Sequence, residues 1–163
     1  MLVSVLIIAF VRRSPVIQHI IHLAVPPDDL YEPVGAGSLR CDIIGFSGEF
    51  TFNPKFTELY EVGLRPRNGT LPVTLGYRGE MKIEVFNGKQ LLLTEHVTSF
   101  IAGRYSKEHL DEYADVSLCE LKRLPKTDKL AIPRCVVTIV RADPRFATYG
   151  DDIEMFIRVV SRP

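Results

Sequence analysis

The sequence predicts an all-β protein: an antiparallel β-sandwich of about eight strands with one short helix, preceded by an N-terminal hydrophobic helix. Three observations carry that prediction. From residue 46 onward, apolar side chains recur at every second position in short runs, the period of a strand with one buried face. Glycine, proline and asparagine punctuate those runs at the spacing of sandwich turns. The strand–helix alternation of a parallel α/β sheet is absent.

Size and composition set outer bounds. A chain of 163 residues fits one domain plus a tail and is long enough to bury a sizeable core. The apolar fraction of 46% and the charged fraction of 25% are those of an ordinary globular protein. Lys plus Arg and Asp plus Glu are each 20, so no net field draws the chain to nucleic acid or to anionic lipid. Basic and aromatic residues are not interleaved as in a base-stacking platform, and nucleic acid is not an expected partner. No segment repeats with the period of a solenoid or propeller.

The first 25 residues differ from the rest. Residues 2–11 (LVSVLIIAFV) form an apolar run broken only by Ser4; Arg12-Arg13 and a second apolar stretch, residues 16–25, follow. A spanning helix needs about 20 apolar residues, so the first run alone is too short. It has the length of a signal-peptide core but lacks the basic residues that precede one. Three readings compete: an anchor or signal whose basic start lies upstream of Met1, a short membrane-associated helix, and a buried element of a cytosolic domain. The first two together are favoured, which predicts a membrane-anchored or extracytoplasmic protein. Arg12-Arg13 pulls the other way, because positive charge on the domain side of the run holds the domain in the cytoplasm. His19 and His22 share a helix side but lack a third ligand, and read as polar residues of a juxtamembrane helix. Residues 26–38 (PPDDLYEPVGAGS) have the composition of a linker. The expected organisation is therefore 1–25 anchor or signal-like segment, 26–38 linker and 39–163 sandwich.

Within the sandwich, residues 40–44 read as a first short strand, ended by Gly45. Phe46, Phe50 and Phe52 share one parity, Asn53-Pro54-Lys55 breaks the run, and Phe56, Tyr60, Val62 and Leu64 share a parity after it. This predicts two half-buried strands joined by a short turn. Asn68-Gly69 marks the next turn, since both residues tolerate positive φ; with Thr70 it is also a glycosylation sequon. Met81, Ile83 and Val85 alternate with Lys82 and Glu84, Asn87-Gly88 supplies a turn, and residues 89–96 return, which predicts a hairpin.

Residues 97–104 fit neither template. Residues 106–113 (SKEHLDEY) predict the short helix, with Ser106 as N-cap, Glu108 in the first turn and His109 facing solvent. Residues 116–124 resume strand character, and residues 125–129 form a loop. The β-branched run 134–142 (RCVVTIVRA) predicts a central strand buried on both sides or nearly so. After a loop at 145–152, the last strand turns Ile153, Met155, Ile157 and Val159 one way and Glu154, Phe156 and Arg158 the other.

Chemistry is sparse. No nucleotide loop, zinc motif or nucleophile elbow occurs, and the four histidines have no evident Cys or Ser partner, so neither an enzyme nor a cofactor is expected. Cys41, Cys119 and Cys135 lie in no metal spacing and read as core thiols, with a Cys119–Cys135 bridge between sheets open in an oxidising compartment. Asp143, Asp151 and Asp152 flank the last loop, where they serve as calcium ligands or, more simply, as turn caps. Tyr105, Tyr113 and Tyr149 are candidates for an aromatic rim. The residues expected to bind are Tyr105, Tyr149, Asp151 and Asp152, at loop ends.

The opening pair, GEFTFNPKFTELYEVGL, resembles the first strands of jelly-roll sandwiches such as galactose-binding-like modules. The layout of the whole chain resembles small bacterial envelope proteins of unknown function, in which an apolar segment and a linker precede one such sandwich. Some proteins of that kind act as immunity proteins against secreted toxins. The resemblance covers about residues 39–160 and implies a non-enzymatic extracytoplasmic binding domain. Its expected partner is a protein of the cell envelope, a toxin first among them. A carbohydrate-binding module is the alternative and a hydrolase on the same fold the third. The absence of Trp removes the best sugar-stacking residue, which favours protein.

Overall fold

The computed structural model describes residues 27–55, 59–121 and 132–160. The N-terminal hydrophobic helix, His19 and His22 lie outside these, as do Phe56 and the loop at 125–129. Ten strands occur among the described residues: β1 Gly35–Ser38, β2 Ser47–Thr51, β3 Tyr60–Pro66, β4 Leu71–Pro72, β5 Glu80–Asn87, β6 Gln90–Val97, β7 Ala102–Tyr105, β8 Glu112–Leu121, β9 Pro133–Arg141 and β10 Ile153–Val159. The protein is all-β, with every pairing antiparallel.

The strands form two sheets in a sandwich-like arrangement. One has the order β1-β10-β3-β8, with β4 and β7 also on β8; the other has the order β2-β9-β5-β6. Gly63 of β3 and Ala102 of β7 both face Ser117 of β8, so β3 and β7 lie on opposite edges of β8. Leu71 of β4 and Tyr105 of β7 both face Tyr113, which puts β4 in line with β3 and leaves β7 at the border of its sheet.

Alternation builds the interior. Met81, Ile83 and Val85 of β5, Cys135, Val137 and Ile139 of β9, Tyr60, Val62 and Leu64 of β3, and Ile153, Met155 and Ile157 of β10 all join one buried cluster. Each large aliphatic side chain so buried contributes about 1.5–3 kcal/mol against the entropy of ordering the chain. At one end Tyr77, Phe100 and Phe146 pack ring to ring, with Tyr149 against Phe146 at 5.9 Å between centroids.

Several expectations are corrected. Phe46, Phe50 and Phe52 do pack on the core, but β2 and β3 are not a strand pair. β2 joins β9 in one sheet and β3 joins β10 and β8 in the other, because the chain crosses the sandwich after Asn53-Pro54. The first strand is Gly35–Ser38, inside the expected linker, while residues 40–44 form a turn. The two glycines of β1 explain the misreading: a side chain at Gly35 would collide with Phe52 and one at Gly37 would crowd Phe50, so the strand carries none of the usual apolar signature.

No helix forms at residues 106–113. Ser106 Oγ accepts from Glu108 N at 3.2 Å, a side-chain turn that competes with a helix cap; residues 106–111 link β7 to β8, and Glu112 and Tyr113 open β8 itself. The only helical turns among the described residues are short 3-10 pieces at Val73–Leu75, Pro144–Thr148 and Gly150–Asp152. β9 is a central strand between β2 and β5, with buried positions alternating with half-buried ones up to Ile139. In the 80s hairpin the two-residue loop is Gly88-Lys89, one step later than expected, with Gly88 at φ +58°.

Asp143 is 2% exposed and caps the turn at Pro144–Thr148. Its carboxylate accepts from Arg78 N at 2.9 Å, Arg145 Nε at 3.0 Å and Arg145 Nη2 at 2.6 Å. Burial raises its pKa, but the Arg145 and Arg78 donors outweigh burial and hold it below the usual aspartate value. Its stabilisation is therefore complete above the unfolded pKa of about 3.9 and is lost as pH falls through the lower folded value. Asp143→Asn is expected to cost about 2 kcal/mol at neutral pH. The deficit, read by urea unfolding, should shrink toward zero as pH falls below the folded-state value; a deficit that does not change with pH overturns this account.

The three cysteines are free, buried thiols. Burial pushes all three pKa values up, that of Cys119 to about 12. All three are expected to resist a thiol-reactive chromophore at pH 8 in the native protein and to react at once in denaturant.

Candidate functional site

The outward face of the β10-β3-β8-β7 side carries the principal polar feature among the described residues. Side chains that alternate with core residues on these strands must point away from the core. On β10 these are Glu154, Phe156 and Arg158; on β3 they are Glu61, Gly63 and Arg65. A register shift on β8 decides the rest: Val62 faces Cys119 while Gly63 faces Ser117, so Leu118 is an extra residue. That bulge reverses the parity of β8. Cys119 and Leu121 point inward beyond it, and before it Val116 points inward while Asp115 and Ser117 point out.

A guanidinium crosses this face. Arg158 donates from Nε to Glu61 at 2.6 Å and from Nη1 and Nη2 to the two oxygens of Asp115, both at 2.8 Å. The Arg158, Glu61 and Asp115 side chains are 7%, 8% and 1% exposed. Gly63 leaves room beside them, since a Cβ there would meet the Phe156 ring at 2.4 Å. That ring stacks beneath Arg158, whose guanidinium carbon is 4.8 Å from its centroid. Burial works against the charge of Arg158; the hydrogen bonds to Asp115 and Glu61 outweigh it and raise its pKa above the usual arginine value.

Arg104 of the border strand completes the group. Its Nη2 lies 2.7 Å from Asp115 Oδ2, and its side chain is 58% exposed. Asp115 thus holds one arginine in the interior and one at the surface. Around these residues lies an open cleft of about 430 Å³, with Ala102, Gly103, Tyr105 and Ser117 in its walls. Among the described lining residues there is no His, Cys or Lys, and both carboxylates are engaged by arginine.

Of the residues expected to bind, Tyr105 lies at this cleft, half exposed and with its ring 5.1 Å from that of Tyr113. The other three lie in the connection from β9 to β10. Tyr149 packs on Phe146 and donates from its hydroxyl to Thr70 O at 3.3 Å. Asp151 lies 3.3 Å from Arg40 Nη1, and Asp152 Oδ1 accepts from Asn68 Nδ2 at 3.5 Å. The carboxylates of Asp143, Asp151 and Asp152 therefore serve separate partners, and no cluster able to hold a metal occurs among the described residues. Tyr105 and Tyr113 lie ring to ring, and Tyr149 packs on Phe146.

Sequence reasoning missed Glu61, Arg104, Asp115 and Arg158. The one signal available was Phe156 and Arg158 on the polar parity of the last strand. Removing Arg158 leaves two buried carboxylates short of their counter-charge, so Arg158→Met should cost about 3–5 kcal/mol. A triple variant with Glu61→Leu, Asp115→Val and Arg158→Met should recover most of that loss in urea unfolding. Equal loss in both variants overturns the desolvated-pair account.

No protein-family model, curated protein or solved structure matches this chain.

Proposed function

We propose that the chain is a non-enzymatic binding domain that engages a protein of the cell envelope, a toxin first among the candidates, through the β7 side of its sandwich. One observation carries the reading: Ile101, Tyr105 and Leu110 are 62%, 50% and 81% exposed within one border strand and its loop, beside the charged cleft. Large apolar side chains held in water next to a fixed polar group are the composition of a protein interface, with an aromatic and arginine centre. The sugar reading has less support, because the Tyr105 ring is engaged by that of Tyr113, 5.1 Å away and tilted by 39°, and the chain has no Trp.

The strand order supports a jelly roll: β1-β10-β3-β8 over β2-β9-β5-β6 interleaves early and late strands as two Greek keys do, with β4 and β7 added beside β8. The apolar run at residues 2–11 supports attachment to a membrane; the outer side follows from the envelope partner proposed and runs against the pull of Arg12-Arg13. No helix among the described residues is long and apolar enough to cross one.

A photo-crosslinking residue at Tyr105 in cells is expected to give one discrete higher-mass adduct, and the same group at Thr94 on the opposite sheet none. Equal yields at both positions overturn the reading. Cell fractionation tests location: recovery in the membrane fraction, sensitive to protease added from outside, is expected, and recovery only in soluble cytosol removes the tether.

A further inference from the structure

The border strand β7 has β8 on one side and, among the described residues, no strand on the other. Alternate backbone N–H and C=O groups of such a strand face outward and can pair with another chain. Native proteins usually protect such a border by keeping it short and charged. β7 is short, with four residues, and it carries Arg104. Protection alone, however, gives no reason for Ile101, Tyr105 and Leu110 to be exposed around it or for a cleft to open beside it.

The charges choose the occupant. Asp115 and Glu61 are buried and already held by Arg158, so the charge that meets water at the mouth of the cleft is the guanidinium of Arg104. Arg104 meets Asp115 through Nη2 with its side chain 58% exposed, which leaves an open side of the guanidinium to an incoming carboxylate. The small side chain of Ala102 leaves space for it, while Gly103 makes room for the Tyr113 ring, which a Cβ there would meet at 2.4 Å. A second copy of this chain is disfavoured, since antiparallel pairing of β7 with itself brings two Arg104 side chains together. Resting on the reading that this side binds protein, we propose that β7 takes up an extended acidic segment of the partner as an additional strand, with a carboxylate of that segment bound by Arg104 over the cleft.

The test uses the full chain, isotope-labelled in mild detergent, and three capped heptapeptides of alternating Val and Thr with Glu, Gln or Lys at the centre. The Glu peptide is expected to shift the backbone amides of residues 101–105 and to bind about tenfold more tightly than the Lys peptide, the scale of exchanging an opposite for a like charge across a strand pair. In Arg104→Gln that preference should collapse. The comparison among peptides on the unaltered protein stands even if the variant folds poorly. Shifts at β7 that are equal for all three peptides overturn the acidic assignment and leave the protein-binding reading in place. No shift at β7 at millimolar peptide overturns the strand-addition proposal itself, while the crosslinking result at Tyr105 judges the broader reading separately.

Discussion

Two sheets can share one dry interior only if every inward position on both is apolar, and the rest of this structure follows from that constraint. Cys135, Val137 and Ile139 meet the inner residues of β3 and β10 across the gap, and no charge intrudes among them. Meeting the condition on β8 requires the extra residue Leu118, which is itself buried in the core. Without it, Asp115 and Ser117 would share the parity of Cys119 and Leu121 and would point into the interior. The bulge therefore closes the core and, by the same change of parity, places a carboxylate on the outer face.

What lies on that outer face is costly. Arg158, Glu61 and Asp115 are all nearly excluded from water, and desolvating three charges consumes much of what their mutual attraction returns. Apolar side chains of the same volume would serve stability as well or better. The network instead fixes geometry. A bidentate guanidinium holds both oxygens of Asp115, and Asp115 in turn orients Arg104 at the surface. A side chain otherwise free to sample many rotamers is thereby set at the mouth of the cleft, which lowers the entropy that binding there would cost.

The aromatic group at the end of the sandwich does the opposite kind of task. Tyr77, Phe100, Phe146 and Tyr149 anchor the connection between β9 and β10, and Asp143 satisfies the backbone and arginine donors beside them. Tyr149, Asp151 and Asp152 are placed by that packing and by Thr70, Arg40 and Asn68, so their polar groups hold loops together. Tyr105 stands apart from them on a border strand whose exposed apolar neighbours have no such structural partner in view.

The inner face was legible in the sequence because it depends on local alternation: Met81, Ile83 and Val85, or Ile153, Met155 and Ile157, mark it without reference to any other strand. The hairpin at residues 80–97 was legible for the same reason, its turn lying between strands adjacent in the chain. Which strands pair was not, because β1 with β10 and β2 with β9 join residues about a hundred positions apart, and no local pattern encodes such a meeting. Nor was the Arg158 cluster, whose members come from three strands and whose Asp115 faces outward only because of the bulge. Periodicity along the chain thus determined the fold class and the core, since burial of a face is a property of a single strand; tertiary structure alone decided the cleft, since bringing Glu61, Asp115 and Arg158 together required the register between strands.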